Sequence, residues 1–373
     1  MLAVLKNFWQ AIEFSDRVTT DPVKVTCLGQ DLVLFRTEAG VPAVLNDLCV
    51  HRGAALSKGW VSGDCVVCPY HGWEFGTDGA CVKIPANPRE GATIPRKARS
   101  DSYPVVERYG FVWAYLGDLP SEERPPLPEW PEFDDPKFRA VTGEYTWNAN
   151  YERVLENGCD IGHAPFVHGG SFGNRDKPEV PEHTVVEEEW SASVTVELEP
   201  TPPKGLWALL ERDKTDRPPI VTTAAFWMPN LIKLHVRLPM GELIIYDVNI
   251  PVDETTTLTK WIALRSFFPK KWADANARKR VHRIFEQDDA VLSTVRPELL
   301  PFDLQSELHV KSDAMSLAHR RIRDRCLAMG WGVEAHKIRT PQREATVIPS
   351  PARRENPELA NAWVLKEKAG DLQ

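Results

Sequence analysis

Two closely spaced pairs of metal-ligand residues set the first chemical expectation. In CVHRGAALSKGWVSGDCVVCPYH, Cys49 to His71, the pair Cys49-x-His51 is followed after sixteen residues by Cys68-x-x-His71. Two thiolates and two imidazoles at this spacing suit a [2Fe-2S] cluster in which two Cys hold one iron and two His hold the other. Neutral imidazoles leave such a cluster less negative than one held by four thiolates, and they raise its potential. Pro69 after the second Cys, with Gly53, Gly59, Gly63 and Gly72 nearby, suits two tight loops wrapped over a cluster. The competing reading is a structural zinc knuckle at Cys65-x-x-Cys68. Alternating Cys-x-His and Cys-x-x-His inside Gly-rich loops, followed by His71-Gly72-Trp73, favours iron and sulfide.

A second constellation runs from Glu156 to His168, ENGCDIGHAPFVH. At helical spacing Asn157, Asp160 and His163 lie three apart and share a face. Pro165 would end that helix, and the following turn can bring His168 back towards His163. Two His plus a carboxylate form the facial triad of non-haem Fe(II). The carboxylate is expected from a later helix, where Val281, Ile284, Phe285, Asp288 and Leu292 fall on one apolar stripe. An ionised Asp within such a stripe costs several kcal/mol unless a cation or strong donors compensate it. Asp289 is the neighbour most easily mistaken for the ligand, but it points about 100° away. Each piece has a plainer reading: either His as a hydrogen-bonded core residue, Asp288 as the partner of an arginine, Asp160 as a surface charge. The preceding cluster motif tips the balance, because a site that delivers electrons needs an acceptor.

The elements that must position these residues divide the chain. Residues 1–120 read as short β segments, among them Val23–Leu28, Asp31–Arg36, Val41–Leu45 and Tyr109–Tyr115, with Glu38-Ala-Gly40 as a hairpin turn. The Pro-rich, acidic stretch 121–137 reads as a semi-rigid linker. Residues 138–339 alternate strand patterns (138–147, 185–199, 222–238, 242–250, 256–267) with helical ones (150–163, 270–293, 313–329). Hairpins are expected at Pro239-Met-Gly241 and Val252-Asp-Glu254. The expected class is α+β: a small all-β cluster domain, then an antiparallel sheet wrapped by helices. The tail 340–373 is polar and Pro-containing, and is expected to be disordered or packed on a neighbouring chain.

At 373 residues, with 42% hydrophobic and 26% charged residues, the chain is of globular type and long enough for two domains. No apolar run reaches the roughly 18 residues of a membrane-spanning helix, and the start does not read as a signal peptide. Seven Cys without framework spacing favour a reducing compartment, and the cytoplasm is the expected location. A net charge of −8 argues against nucleic acid as the main partner. No Gly-x-Gly-x-x-Gly turn suggests a nicotinamide or flavin site of the chain's own.

Over nearly its whole length the sequence resembles the α (oxygenase) subunit of Rieske non-haem iron oxygenases. Carrying the likeness are C-x-H…C-x-x-H, N-x-x-D-x-x-H-x4-H and a late Asp288 with Val291-Leu292 after it. The wording HAPFVH and CVHRGAAL…CPYHGW is similar to the pheophorbide a and chlorophyllide a oxygenase branch, although no C-terminal membrane anchor is found. The resemblance implies a Rieske cluster on Cys49, His51, Cys68 and His71, and mononuclear Fe(II) on His163, His168 and Asp288. It implies a head-to-tail homotrimer in which Asp160 bridges His71 of one subunit and His163 of the next, with Asn157 near the iron. Electrons would come from NAD(P)H through a ferredoxin and/or flavin reductase. O2 would then hydroxylate or oxidatively demethylate an aromatic or polycyclic small molecule. Phe226, Trp227, Met228, Leu231, Leu234 and Phe285 are possible pocket walls or plain core. Cis-dihydroxylation of an arene, oxidative ring closure, and a non-catalytic electron carrier are the alternatives.

Overall fold

The computed structural model describes residues 3–87, 93–169, 173–198, 219–334, 345–359 and 362–368. The chain folds as two compact units, Met1–Pro128 with Cys326–Gln373, and Glu129–Arg325.

The first unit is built from short antiparallel strands. Gln30–Arg36 pairs with Val23–Cys27 on one side and Pro42–Asn46 on the other. The turn expected at Glu38-Ala-Gly40 lies between the last two, with Gly40 at φ +87°. Phe111–Leu116, buried throughout, is the middle strand of a second sheet, between Val105–Arg108 and Phe8–Phe14. Tyr109, expected to begin that strand, instead forms its turn with Gly110 (φ +57° and +74°). A small sheet of Trp60–Ser62, Cys65–Val67, Glu74–Phe75 and Cys81–Lys83 carries the loops that matter here. Its core holds Val33, Phe35, Leu45, Leu56, Val66 and Phe75, with Cys49 and Cys68 buried among them.

Two expectations about the chain's second half are corrected. The described tail residues are neither loose nor in need of a neighbouring chain, since they pack within this first unit. Arg353 makes a buried two-pronged ion pair with Asp101 (2.7 and 2.8 Å), and Ile348 O accepts from the Tyr103 hydroxyl at 2.7 Å. Gly332–Glu334, assigned above to the second domain, pairs antiparallel with Ala3–Leu5. Pairing across some 330 residues leaves no trace in local hydrophobic periodicity. The linker is also shorter than expected. Trp130 is fully buried and stacks on Tyr246 at 4.3 Å, while Glu132 accepts from Tyr246 Oη and Lys233 Nζ, each at 2.6 Å. Residues from Glu129 onward therefore belong to the second unit.

The second unit is one seven-stranded antiparallel sheet. In spatial order it runs Arg139–Trp147, Thr257–Arg265, Gly241–Pro251, Leu231–Leu238, Ile220–Trp227, Ser191–Leu198 and Val185–Glu187. The hairpin turns after Leu238 and Pro251 fall where the Pro-Met-Gly and Val-Asp-Glu signals put them. Helices Tyr151–Cys159 and Asp274–Leu292 pack on the sheet. Val154, Val281, Phe285 and Leu292 share a core with Trp147, Ile245, Trp261 and Ala263. Gly143 is needed in the edge strand because the Trp261 ring lies over it: a Cβ there would fall 2.3 Å from the indole. Asn150 starts the first helix, accepting a hydrogen bond from Glu152 N at 3.0 Å.

Candidate metal centres

The two cluster loops in the first unit are built alike. Cys49 N donates to Ala54 O and Cys49 O accepts from Gly53 N, both at 2.8 Å. Cys68 N donates to Trp73 O at 2.8 Å and Cys68 O accepts from Gly72 N at 3.0 Å. In each loop the Gly four residues after the Cys turns the chain at positive φ, +73° for Gly53 and +70° for Gly72. Both Cys are buried, and burial, with Cys68 beside it, pushes the Cys49 thiol up to about 12. An electropositive metal is the ordinary way to draw thiolates into such a place. His51 and His71 lie ring to ring at 4.5 Å, and Trp73 stacks flat on His51 at 4.6 Å. Desolvation, then the charge of His71, lowers the His51 pKa and favours the neutral form that binds metal. The His51 Nδ1 atom is buried without a hydrogen-bond partner. Among the described residues these four ligands do not gather at one point as a single zinc ion would require. The donor set fits a two-iron cluster.

In the second unit, three side chains do converge. His163, His168 and Asp288 bring one ligand atom each to within 4.8 Å of one another. Asp288 Oδ1 lies 3.2 Å from His168 Nε2 and 3.6 Å from His163 Nε2, and has no hydrogen-bond partner. His168 Nδ1 lies 3.0 Å from Gln287 Oε1. That carbonyl accepts only from a protonated Nδ1, leaving the Nε2 lone pair aimed at the carboxylate. Lone pairs so arranged repel unless a cation sits among them. Burial works against charge on His163, yet Asp160 and Asp288 outweigh it and raise its pKa. The place attracts positive charge, and two imidazoles with one carboxylate suit non-haem iron.

The local backbone departs from expectation. The helix bearing Asn157 ends at Cys159, so Asn157, Asp160 and His163 do not share one helical face. Asp160 is extended (φ −74°, ψ 126°), and its Oδ1 accepts from Gly162 N at 2.7 Å. This side chain–backbone bond competes with continuation of the helix. His163 then caps a new short helix, Ala164–Val167, where Pro165 occupies the first turn rather than ending one. Asp160 Oδ2 stands 3.4 Å from His163 Nδ1. Burial would raise Asp160, but His163 and the nearby N–H groups hold its carboxyl below the usual range. Asn157 contributes its backbone carbonyl, which accepts from Asp160 N at 3.1 Å.

Asp289 is engaged elsewhere, accepting from Asn148 N (2.9 Å), Asn148 Nδ2 (3.1 Å) and Tyr145 Oη (3.3 Å). It anchors the Asp274–Leu292 helix to the edge strand while Asp288 faces the histidines. Of the wall candidates, Phe285 is core, packed on Tyr145 and Trp147 at 5.5 and 5.1 Å. Phe226 is fully buried against His319. Gln287 and the buried Asp247 were not picked out by sequence reasoning. Gln287 carried no signal. Asp247 did: it is the one acidic residue in the run LIIYDVNI.

The chain matches two family models, the Rieske [2Fe-2S] domain over residues 8–107 and the vanillate O-demethylase oxygenase C-terminal domain over 147–329. Methylxanthine N1-demethylase NdmA of Pseudomonas putida is 30% identical over 333 residues, 85% of this chain and 88% of that protein. Chlorophyllide a oxygenase of Chlamydomonas reinhardtii is 39% identical over 172 residues, 45% of this chain and 25% of the relative. Phenoxybenzoate dioxygenase subunit alpha of Ectopseudomonas oleovorans is 45% identical over 170 residues, 41% of each. The matched part thus spans well under two thirds of the latter two proteins. The solved structure of Pseudomonas putida CBB5 NdmA with caffeine superposes with a TM-score of 0.73 at 26% identity, covering 89% of this chain and 94% of that one. The chain belongs to the Rieske non-haem iron oxygenases, as an oxygenase (α) subunit. Its cofactors are those of that family, a Rieske [2Fe-2S] cluster and a mononuclear iron. Among the described residues no helix is long and apolar enough to cross a membrane.

Proposed function

We propose that this chain is the terminal component that hydroxylates, or by hydroxylation demethylates, an aromatic or polycyclic small molecule with O2 and electrons from a separate reductase. The observation that carries the reading is Asp288: a buried carboxylate with a partnerless oxygen facing two imidazole nitrogens. His163, His168 and Asp288 would hold the iron, and Cys49, His51, Cys68 and His71 the cluster. When bound, the iron supplies O2 activation, with R–H, O2, two electrons and two protons giving R–OH and water. An N- or O-methyl group hydroxylated in this way leaves as formaldehyde. The demethylase names of the second matching family model and of NdmA favour that outcome over cis-dihydroxylation.

The chain's own residues keep the proposed ligands in place. Gln287 fixes the tautomer of His168, and the Gly162 N–H holds Asp160 beside His163. The Asp160 side chain is about one-third exposed, which suits a bridge to His71 of the next subunit in a homotrimer. Trp73 braces His51, while a ferredoxin or flavin reductase would deliver NAD(P)H electrons to the cluster.

Iron and acid-labile sulfide per chain, in anaerobically prepared protein, test the reading. About three irons and two sulfides are expected, falling to about two irons in Asp288→Ala. Two irons in iron-replete wild type would leave an electron carrier in place of an oxygenase.

A further inference from the structure

Among the described residues only two buried carboxylate oxygens lack a hydrogen-bond partner: Asp288 Oδ1 and Asp247 Oδ1. The other buried acids of the second unit serve the fold. Asp274 is held by Arg139 and Arg265, Asp289 by Asn148 and Tyr145, and Glu152 by Arg323. Asp247 is 8% exposed, in a strand buried continuously from Ile244 to Pro251, and nothing there uses its oxygen.

Strand register tells which face it occupies. Asp247 stands opposite Ile232 on one side and Trp261 on the other, and two residues from Ile245. Ile245 and Trp261 pack in the core beneath the helix that bears Asp288. Ile232 reaches the end of the first helix, where a Cβ on Gly158 would fall 2.5 Å from its Cδ1. Asp247 therefore lies on the helix-covered face of the sheet, under the segment that leads to His163. Burial pushes its carboxyl above the usual range, and Asp288 adds to this. An idle buried polar atom costs roughly 1–3 kcal/mol, so as a mere core residue Asp247 is a poor choice.

We propose that Asp247 is the specificity-determining residue of the site, accepting a hydrogen bond from an N–H or O–H group on an otherwise apolar aromatic substrate. The proposal rests on the oxygenase reading above and narrows its substrate class. A carboxyl oxygen accepts whether or not the group is protonated. An ether or an ionised carboxylate offers that oxygen no N–H or O–H, so the preferred substrate carries a donor group.

The test is a binding measurement on the full chain loaded with cluster and iron. Dissociation constants are read from the change each probe causes in the electron paramagnetic resonance signal of the iron–nitric oxide adduct. The probes share one ring: 4-methoxyphenol, 4-methoxyaniline, 1,4-dimethoxybenzene and 4-methoxybenzoate. Wild type should bind the phenol and the aniline about tenfold more tightly than the other two. Asp247→Leu should erase that preference while dimethoxybenzene binds as before, and Asp247→Asn, which keeps an accepting oxygen, should retain it. Equal binding of all four probes to wild type, binding of none, or a preference that survives Asp247→Leu would each overturn the proposal. If Asp247→Leu does not fold, the wild-type ranking and the Asn chain still decide. Absence of the nitric oxide signal in iron-replete wild type would instead sink the oxygenase reading, and the proposal with it.

Discussion

The two proposed metal centres solve the same problem with different materials. The cluster ligands come from twin loops within 23 residues of sequence, and main-chain hydrogen bonds to the Cys N–H and C=O groups set their shape. The proposed iron ligands come from two elements 120 residues apart, and side chains hold them: Gln287 on His168, Asp160 on His163 and, for Asp288, Asn148 and Tyr145 through its neighbour Asp289. The first design is local and depends on backbone conformation. The second depends on how a helix is docked onto a sheet, and its weak points are the docking contacts.

The sharpest break between them comes from deleting one ligand at a time. Cys68→Ala should abolish the cluster's visible absorption and acid-labile sulfide while mononuclear iron still binds. His168→Ala should do the reverse, keeping about two sulfides and losing the third iron. Loss of both metals from either variant, as read by iron and sulfide analysis, would mean that the two sites are not built independently.

The next effect falls on the side-chain scaffold alone. Gln287→Leu frees the His168 tautomer and should weaken iron binding about 10–100-fold, as removal of an outer-shell hydrogen bond to a metal-bound histidine ordinarily does. Titration of Fe(II) into chain carrying only its cluster checks this, and Gln287→Glu, which keeps an acceptor, should restore most of the affinity. Unchanged iron affinity in the Leu variant would remove Gln287 from the site.

Legibility in the sequence follows the same division. The candidate cluster ligands Cys49, His51, Cys68 and His71 stand out from spacing alone, because a loop that folds on itself keeps its chemistry in order along the chain. Asp288 could be read only through the stripe it interrupts, Val281 to Leu292, and the distinction from Asp289 came from helical angle. The structure agrees with that angle, since Asp289 is bonded to Asn148. What failed were predictions that depend on side chain–backbone competition or on distant pairing. A helix through His163 ignored the Asp160–Gly162 bond, and the detached tail ignored Asp101, whose carboxylate is filled by Arg353 from 252 residues away. Asp247 was legible as an acid in an apolar strand, but only the strand register gives it a face.

A smaller effect probes the backbone scaffold. Gly53→Ala and Gly72→Ala place a Cβ at positive φ, which costs about 1–2 kcal/mol. At Gly53 nothing lies within 4 Å, so strain is the whole cost; at Gly72 the Pro85 Cγ is 3.1 Å away and must also give. Urea unfolding should rank Gly72→Ala below Gly53→Ala and both below wild type. Equal stability of all three chains would show that the loops do not depend on those turns.

A last effect separates the two scaffolds by pH. The first helix of the second unit is held by buried ion pairs, with Arg320 on Glu156 at 2.7 Å and Arg323 3.6 Å from Glu152. Burial raises the Glu152 carboxyl from 4.5 to about 7, against the pull of Arg323. Between those values the folded chain holds a proton that the unfolded chain has released, so stability falls as pH rises through the window. The loss is on the order of 1–3 kcal/mol. Glu152→Gln cannot titrate, so its urea midpoint should fall less between pH 5 and pH 8 than that of wild type. The twin loops contribute a slope of the opposite sign, because the lowered His51 pKa makes stability rise with pH, and Gly53→Ala, which leaves both histidines in place, should lower stability by about the same amount at both pH values. If Glu152→Gln kept the wild-type slope while Gly53→Ala altered it, the pH dependence would belong to the loops, and the division between a backbone-held and a side-chain-held centre would have to be redrawn.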